Sequence, residues 1–578
     1  MTRHAARLAA VYAALLSLCA LLLGWNLSDR YLWEDEAETA TLALAICEVG
    51  WPEVSQRTVE IRTARDWRFL NDDDLWVASP WLDEYLAATS LGLFGRSAWA
   101  ARLPFVIVGW LSACLVPWAA WRIYRSQSIA LTATVLYVSS VPLYTHARQC
   151  RYYALLLLAQ VVIVLGFGLL AEGRRWRGGG LLAAGLTAQF YSNYLLVACN
   201  VPALLLAAFF ARRQSPGLFV RVCGTLCGVA LLAAPWLWYA QGRMTEAARY
   251  TDGWIFTPQQ VAHHWTYYLS LTNDHLLPLV VPIAGGAWLW RQRRRRASNA
   301  SNAANAANAA SPANAANATA EPSLIEPAID AVAAPNIPPK AAAAQAAPNI
   351  PPKAAAAAPA AAAVDRLLWL WLPVFLVVLL ASPLANARYM VTLLPAFALL
   401  TAVIVNRAAA RTWLRVALVG VLAFTSWAAR PWRPAGLAHW PLVEFARELR
   451  SDYIDRIEAV SRYLEQHSQP GQTLYSLLDE LPILFYTQLE PYPREIDRQR
   501  LPDWILLETV STAGPERTVY TLADFAPGVQ HHYEAIEVAA PDTPGPGTLP
   551  SPQTRAAFTV GQNRPVVLYR LKGPPAAP

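Results

Sequence analysis

Long apolar segments separated by short polar connections recur along most of this chain of 578 residues. A helix of about 20 apolar residues spans the hydrocarbon core of a bilayer, so each segment is a candidate span. The first follows Arg3 and Arg7 and is long enough to be an uncleaved helix rather than a signal peptide. The pattern predicts about eleven spans, centred on residues 8–26, 102–121, 128–145, 153–171, 179–191, 195–211, 218–239, 275–290, 367–381, 389–405 and 412–429.

Basic residues gather in alternate connections between these spans. Arginines follow the second, fourth, sixth, eighth and tenth spans: Arg122 and Arg125, Arg174, Arg175 and Arg177, Arg212 and Arg213, Arg291 and Arg293 to Arg296, and Arg407, Arg411 and Arg415. Connections rich in Lys and Arg stay on the cytoplasmic side of a membrane. The clusters therefore predict a cytoplasmic N-terminus and, with an odd number of spans, an extracytoplasmic C-terminal part.

Two regions within the membrane part, which we place at residues 1–431, are too long to be simple connections. The outer loop 28–100 contains two helix-like patterns, one from Asp35 to about Glu48 and one from about Trp81 to Leu93. Residues 298–363 consist of Ala, Asn and Pro repeats, which cannot bury a core and predict a disordered cytoplasmic linker.

Residues 440–578 are more polar than the rest of the chain. They begin with an amphipathic-helix pattern at 440–467, and short strand patterns follow it. They predict a small extracytoplasmic α/β domain of ordinary size. The fold class that follows is a polytopic α-helical membrane protein with a C-terminal soluble α/β domain.

The composition supports a membrane protein. Hydrophobic residues make up 55% of the chain and charged residues 15%, whereas soluble domains carry about 25% charged residues. The formal charge of +7 comes mainly from the arginine clusters between spans, so it does not indicate a nucleic-acid partner. The seven cysteines show neither a disulfide framework nor metal-ligand spacing.

Four carboxylates lie at the start of the outer loop, within residues 34–38. Carboxylates beside a bilayer are costly unless they are solvated, paired or functional. One interpretation makes Asp35 the catalytic base of a lipid-dependent sugar transferase. The other is a capping box, with Asp35 as N-cap and Glu38 reaching back to its amide. The local sequence does not decide between them.

Three arginines break the topology rule because they lie at the outer ends of spans. Arg148 and Arg151 precede the fourth span, and Arg388, followed by Tyr389, precedes the tenth. Arginine side chains at such positions often extend to lipid headgroups. Three of them on the same side as the acidic loop instead favour an anionic ligand, because the guanidinium fork suits phosphate. The prediction is a lipid phosphate held by Arg148, Arg151, Arg388 and Tyr389.

Further polar residues on the outer side are candidates for binding a substrate or metal. Asp83 and Glu84 lie in the second half of the outer loop, Tyr152 follows Arg151, and His263 and His264 lie in the segment after the seventh span. Adjacent histidines point about 100° apart on a helix, so only one of them could join a carboxylate at a metal. A divalent cation is the one cofactor that these residues suggest, and the sequence leaves metal dependence undecided.

Five stretches in this order resemble the GT-C superfamily of integral-membrane glycosyltransferases, in the branch of protein O-mannosyltransferases and lipid A aminoarabinose transferases. They are residues 33–37 (WEDEA), 94–104 (FGRSAWAARLP), 147–155 (ARQCRYYAL), 387–389 (ARY) with 394–395 (LP), and 502–506 (PDWIL). One departure is at residues 79–84 (SPWLDE), where relatives often carry a Pro-Pro-Leu stretch, so the acceptor can differ.

The resemblance implies an inverting transfer of a sugar from a polyprenyl-phosphate donor to a lipid, glycan or protein hydroxyl. The reaction takes place at the outer face of the bacterial cytoplasmic membrane. The acidic residue of the first loop that acts as base maps onto Asp35, with Glu36 beside it.

Two other classes of protein stay open: a transporter or flippase for a lipid-linked sugar, and a non-catalytic assembly protein of the cell envelope. A transporter needs ionisable groups or broken helices near the midplane, and the predicted spans carry almost none of the former.

Overall fold

The architecture comes from a computed structural model that contains only the protein chain. It describes residues 3–53, 75–77, 79–249, 257–309, 352–380, 387–432, 440–450, 454, 456–477, 480–492, 500–510, 517–519, 521–525, 528–540 and 565–572.

The first three-quarters of the chain is helical in its described part. The helices are α1 (Arg3–Gly24), α2 (Glu34–Val49), α3 (Leu82–Phe94), α4 (Ala98–Tyr124), α5 (Gln127–Val138), α6 (Val141–Ala147), α7 (Tyr153–Ala171), α8 (Arg175–Ser192), α9 (Tyr194–Ala211), α10 (Leu218–Arg249), α11 (Pro258–Leu271), α12 (Val280–Ala309), α13 (Pro352–Leu380), α14 (Leu394–Ala408) and α15 (Thr412–Phe424). A π-helical turn, Thr272–Leu276, follows α11, and a 3-10 helix, Ala387–Leu393, precedes α14.

Within the described residues, seven helical segments are long and apolar enough to cross a membrane. The bent pair α5 and α6, with an angle of 59° between them, makes an eighth if counted as one span. The predicted multi-pass membrane protein is therefore confirmed, but the count of eleven is not. The other three predicted spans correspond to α8, which begins with Arg and Gly residues, to α12, which carries the arginine cluster, and to α15, which has only 13 residues.

Both helices predicted in the outer loop are present, as α2 and α3. The cap of α2 differs from the predicted capping box. Trp33 is the N-cap, and its amide donates to Glu36 Oε2 at 3.4 Å. The predicted cap at Asp35 is therefore wrong, because the N-cap lies two residues earlier and the reciprocal carboxylate is Glu36 rather than Glu38.

The predicted linker 298–363 is helical at both ends. Helix α12 continues to Ala309 and α13 already begins at Pro352, while residues 310–351 lie outside the described residues. Alanine has the highest helix propensity, and a helix that is already nucleated extends at little cost. The alanine-rich ends therefore continue the adjoining membrane helices.

Three buried amide side chains join α7, α8 and α9. Asn200 Nδ2 donates to Gln189 Oε1 at 2.6 Å and to Gln160 Oε1 at 3.1 Å. Side-chain hydrogen bonds of this kind hold helices together inside a bilayer. At the same interface α7 and α8 approach so closely that a Cβ on Gly178 would lie 2.5 Å from Leu170 N. This packing sets the position of α7, whose N-terminus adjoins Arg151.

The C-terminal part contains the helices α16 (Pro441–Glu448), α17 (Arg456–His467), α18 (Glu480–Tyr486) and α19 (Leu522–Phe525). Its strands are β1 (Thr473–Ser476), β2 (Glu490–Pro491), β3 (Trp504–Leu506), β4 (Glu508–Val510), β5 (Arg517–Val519), β6 (Tyr533–Val538) and β7 (Val566–Leu571). The predicted helix at 440–467 is thus two helices.

The main sheet of this part is mixed, with strand order β2-β1-β3-β7-β6. Strand β1 pairs in parallel with β2 and β3, and β7 pairs antiparallel with β3 and β6. Phe445, Leu481 and Phe485 belong to the same hydrophobic cluster as the membrane helices. The C-terminal part therefore packs directly on the membrane part.

Candidate functional site

Asp35 lies in the first turn of α2, where it meets two arginines from distant parts of the chain. Arg388, from the 3-10 helix that precedes α14, donates from Nη1 to Asp35 Oδ2. Arg151, between α6 and α7, places Nη2 3.8 Å from the same oxygen. The structure thus brings together three residues predicted from the sequence, and it does so at one end of the membrane-spanning helices.

Arg151 is held in place by the next turn of α2. Its Nη1 lies 2.9 Å from Glu38 Oε1 and donates to Thr39 Oγ1 at 2.8 Å. Although burial lowers the pKa of Arg151, the carboxylates of Glu38 and Asp35 raise it overall. Arg151 is therefore a fixed positive charge beside Asp35.

The Asp35 cluster is partly open. The side chains of Asp35, Arg151 and Arg388 are 16%, 13% and 23% exposed. Arg388 also lies over the ring of Trp33, 4.6 Å from its centroid. An arginine over an aromatic ring is stabilised electrostatically, so Trp33 helps to orient this guanidinium. The Asp35 cluster is thus a carboxylate between two guanidinium groups, and all three side chains are partly exposed.

Glu36 faces away from this opening, and its side chain is 1% exposed. Arg102 of α4 binds it in a bidentate manner, Nε to Oε1 at 2.8 Å and Nη2 to Oε2 at 2.6 Å. The backbone amide of Cys150 also donates to Glu36 Oε1, at 2.8 Å. Glu36 therefore ties α2 to α4 and to the segment of Arg151, and it also lines a small cavity with Arg102 and Arg148.

Arg148 does not join the Asp35 cluster. Its Nη1 donates to the carbonyls of Leu22, Leu23 and Trp25 at 2.7–2.9 Å, and its Nη2 donates to that of Asn26 at 3.2 Å. These carbonyls lie at the C-terminal end of α1, where helices leave acceptors without partners. Burial, together with the nearby charge of Arg102, lowers the pKa of Arg148 to about 9. The predicted phosphate ligand is thus a helix cap.

Tyr152 and Tyr389 flank the two arginines of the cluster. The guanidinium of Arg151 lies 5.7 Å from the ring centroid of Tyr152, and Tyr389 follows Arg388 in the 3-10 helix. Both tyrosines are only partly exposed. They form aromatic walls beside the guanidinium groups.

Asp83 and Glu84, in the first turn of α3, are buried, with 1% and 0% exposure. Their side chains are hydrogen-bonded to each other. Burial raises the pKa of Asp83 to about 6. Burial and the adjacent Asp83 raise the pKa of Glu84 well above its usual value, which favours its protonated form. The pair is enclosed and not exposed to a ligand.

His263 and His264 lie on α11, which begins at Pro258. His263 lines a cavity with Asp274 and His275 of the π-helical turn. In the described part of the chain, no three His, Cys, Asp or Glu side chains converge as metal ligands would. The predicted grouping of these histidines with Glu84 or Glu36 is therefore not seen.

A contact with the C-terminal part supports the residues just before α2. Leu32 N donates to Tyr486 Oη at 2.9 Å, and the rings of Tyr31 and Tyr486 stack with 3.7 Å between centroids. Nearby, Arg96 Nε and Nη2 donate to the carbonyls of Phe485 and Leu484 at 2.5 Å. The sequence analysis did not identify these residues, since more than 380 positions separate Arg96 from its partners.

Removal of the Tyr486 hydroxyl should weaken the support of α2. In Tyr486→Phe the ring stacking remains, but the Leu32 amide loses its buried acceptor, which costs about 1–3 kcal/mol. We expect a lower thermal midpoint for the detergent-solubilised protein. Tyr463→Phe on α17 is the matched control, and equal midpoints for the two variants would show that the Leu32 contact is unimportant.

Comparison with known proteins agrees with the sequence resemblance. Residues 78–239 match the family model of dolichyl-phosphate-mannose-protein mannosyltransferase. Among solved structures, ArnT from Cupriavidus metallidurans in the apo state is 16% identical, covers 84% of this chain and 86% of its own, and has a TM-score of 0.47. ArnT from the same organism bound to undecaprenyl phosphate is 15% identical, with 97% coverage of both chains and a TM-score of 0.47.

The family match includes α4, with Arg102, and the segment that carries Arg148 and Arg151. The chain is accordingly a multi-pass membrane protein whose residues 78–239 resemble the dolichyl-phosphate-mannose-protein mannosyltransferase family.

Proposed function

We propose that the protein is an inverting glycosyltransferase that moves a sugar from a polyprenyl-phosphate donor to an acceptor hydroxyl at the outer face of the bacterial cytoplasmic membrane. The observation that carries the proposal is the contact of the partly exposed Asp35 carboxylate with Arg388 and Arg151. A proton acceptor and two phosphate-binding groups then share one opening at the membrane boundary.

Without substrate, Asp35 is the anion that pairs with the guanidinium groups of Arg388 and Arg151. A donor phosphate can replace it, because guanidinium binds phosphate and carboxylate with the same forked geometry. Arg151, which Glu38 and Thr39 hold in place, keeps its position while the phosphate binds. Asp35 is thereby released to accept a proton.

Transfer then proceeds by displacement at the anomeric carbon. The acceptor oxygen forms a bond to this carbon while the carbon–oxygen bond to the phosphate breaks, and the lipid phosphate leaves with the electron pair. Arg151 and Arg388 stabilise the charge that develops on the phosphate, which is a large electrostatic contribution in such sites. Asp35 takes the hydroxyl proton, a step that general-base catalysis accelerates by about 10²–10⁴-fold.

The proposal departs from the sequence prediction at two residues. Glu36 positions α2 through Arg102 and takes no part in proton transfer. Arg148 caps α1, so Arg151 and Arg388 form the phosphate site. ArnT bound to undecaprenyl phosphate, a similar structure, makes that lipid a suitable probe.

Arg388→Gln tests the phosphate site directly. A hydrogen bond to a charged group is worth about 1.5–3 kcal/mol, so we expect undecaprenyl phosphate to bind about 10–150-fold more weakly. Its affinity can be measured by ligand-dependent thermal stabilisation of the purified protein. Arg212→Gln, at the exposed end of α9, is the control, and unchanged affinity in Arg388→Gln would refute the assignment.

A further inference from the structure

Two cavities share Asp274 and His275, in the π-helical turn, as lining residues. One has a volume of about 110 Å³ and is enclosed by the break between α5 and α6, by α14 and by the end of α15. The other, of about 340 Å³, is lined by one face of α11. Because both are lined by Asp274 and His275, we treat them as one site, the π-turn cavity.

The π-turn cavity lies at the same end of the membrane helices as Asp35. Its lining residues on α14, from Leu394 to Thr401, occupy the first two turns after the 3-10 helix that carries Arg388. The lining residues on α5 and α15 lie in the last turns of those helices. With a rise of about 2.0 Å per residue in a 3-10 helix, Arg388 and Leu394 are about 12 Å apart along the chain.

The lining combines two kinds of side chain. On α5, α14 and α15 it is mostly apolar, with Leu136, Phe397, Ala398 and Leu422 beside the hydroxyl group of Thr401. Around the π-helical turn it is rich in groups that form hydrogen bonds, among them Ser139, Ser426, Asn273, Thr266 and Ser270. A ligand that satisfies both parts is an amphiphile.

Asp274 is the one carboxylate among the described residues that line the polar part, and it is paired with an arginine. Asp274 Oδ2 accepts from Arg430 at 2.6 Å, and Asp274 Oδ1 accepts from Asn273 at 2.9 Å. Burial lowers the pKa of His275, which favours its neutral imidazole. This lining contrasts with the Asp35 cluster, where two guanidinium groups suit a phosphate. It favours a head that carries hydroxyl groups and no charge.

We propose that the π-turn cavity binds an amphiphile with an uncharged, hydroxyl-rich head, its apolar part against α14 and α15 and its head at the π-helical turn. If the proposed transferase function is correct, this amphiphile is the acceptor. A transferase of that kind needs a phosphate site for the donor and a separate site for the hydroxyl-bearing acceptor.

A photoreactive alkyl glucoside tests this site in phosphatidylcholine nanodiscs. We expect the probe to label peptides that contain residues 394–401 or 422–429. Decyl maltoside should compete with this labelling, and decyl phosphate should compete at least ten-fold less effectively. Ala423→Trp fills the cavity and should reduce the labelling about ten-fold or more. Val416→Trp, on the exposed face of the same helix, should not.

If Ala423→Trp does not fold, Ser426→Phe places a bulky group in the lining outside α15 and should have the same effect. Labelling that decyl phosphate competes equally, or that persists in the folded filling variant, would overturn the proposal. The readout is independent of turnover, since Asp35→Asn should label like the wild type. If the protein proves not to be a transferase, the labelling experiment still tests binding at the π-turn cavity. If the cavity does not bind the glucoside, the proposed transferase function is still tested by Asp35→Asn.

Discussion

Asp35→Asn should abolish sugar transfer and leave the protein folded. Asparagine has nearly the same shape and can still accept a hydrogen bond from Arg388, but it cannot take a proton from a hydroxyl group. We expect a loss of at least 10²–10⁴-fold, the usual contribution of a general base. Binding of undecaprenyl phosphate should persist or become tighter, because the variant removes the carboxylate that competes for Arg388 and Arg151.

The measurement is a comparison of glycolipids and glycoproteins by mass spectrometry in a strain that lacks the chain, complemented with each variant. Glu48→Gln makes the same chemical change at the exposed end of α2 and should restore the wild-type profile. A full wild-type profile from Asp35→Asn would exclude Asp35 as the base. Loss of both transfer and undecaprenyl phosphate binding would instead indicate a folding defect.

Arg102→Met should have the largest effect on stability. Arg102 neutralises the buried Glu36 and also donates to the carbonyls of Leu27, Arg30 and Tyr31 at 2.7–3.0 Å. Removal of one partner of a buried ion pair leaves an unpaired charge and costs about 3–5 kcal/mol. We expect a markedly lower thermal midpoint and, because Glu36 positions α2, a loss of transfer as well.

A second substitution separates charge from packing. Glu36→Gln combined with Arg102→Met removes the unpaired carboxylate and should recover part of the lost stability. Arg177→Met, an exposed arginine of α8, serves as control for the loss of a positive charge. If Arg102→Met melts at the temperature of this control, the ion pair does not contribute to the folded state.

Much of the organisation follows from local sequence. Apolar length determines which helices can span a membrane. The patterns of the outer loop predict α2 and α3, those of the tail predict an amphipathic helix and short strands, and elements of each kind are present. Charge on the outer connections singled out Asp35, Arg151 and Arg388, which do meet. These features depend on side chains that are close along the chain.

Which partner each charged residue takes was decided only by the tertiary structure. Arg148 and Arg151 are three positions apart with similar neighbours, yet one caps α1 and the other faces Asp35. Asp35 and Glu36 are adjacent, yet one is open and the other is buried on Arg102. The sequence by itself determined the membrane helices and the charges gathered at one end. Partner choice depends on which distant helix ends and carbonyls come within hydrogen-bond range, and only packing brings those groups together.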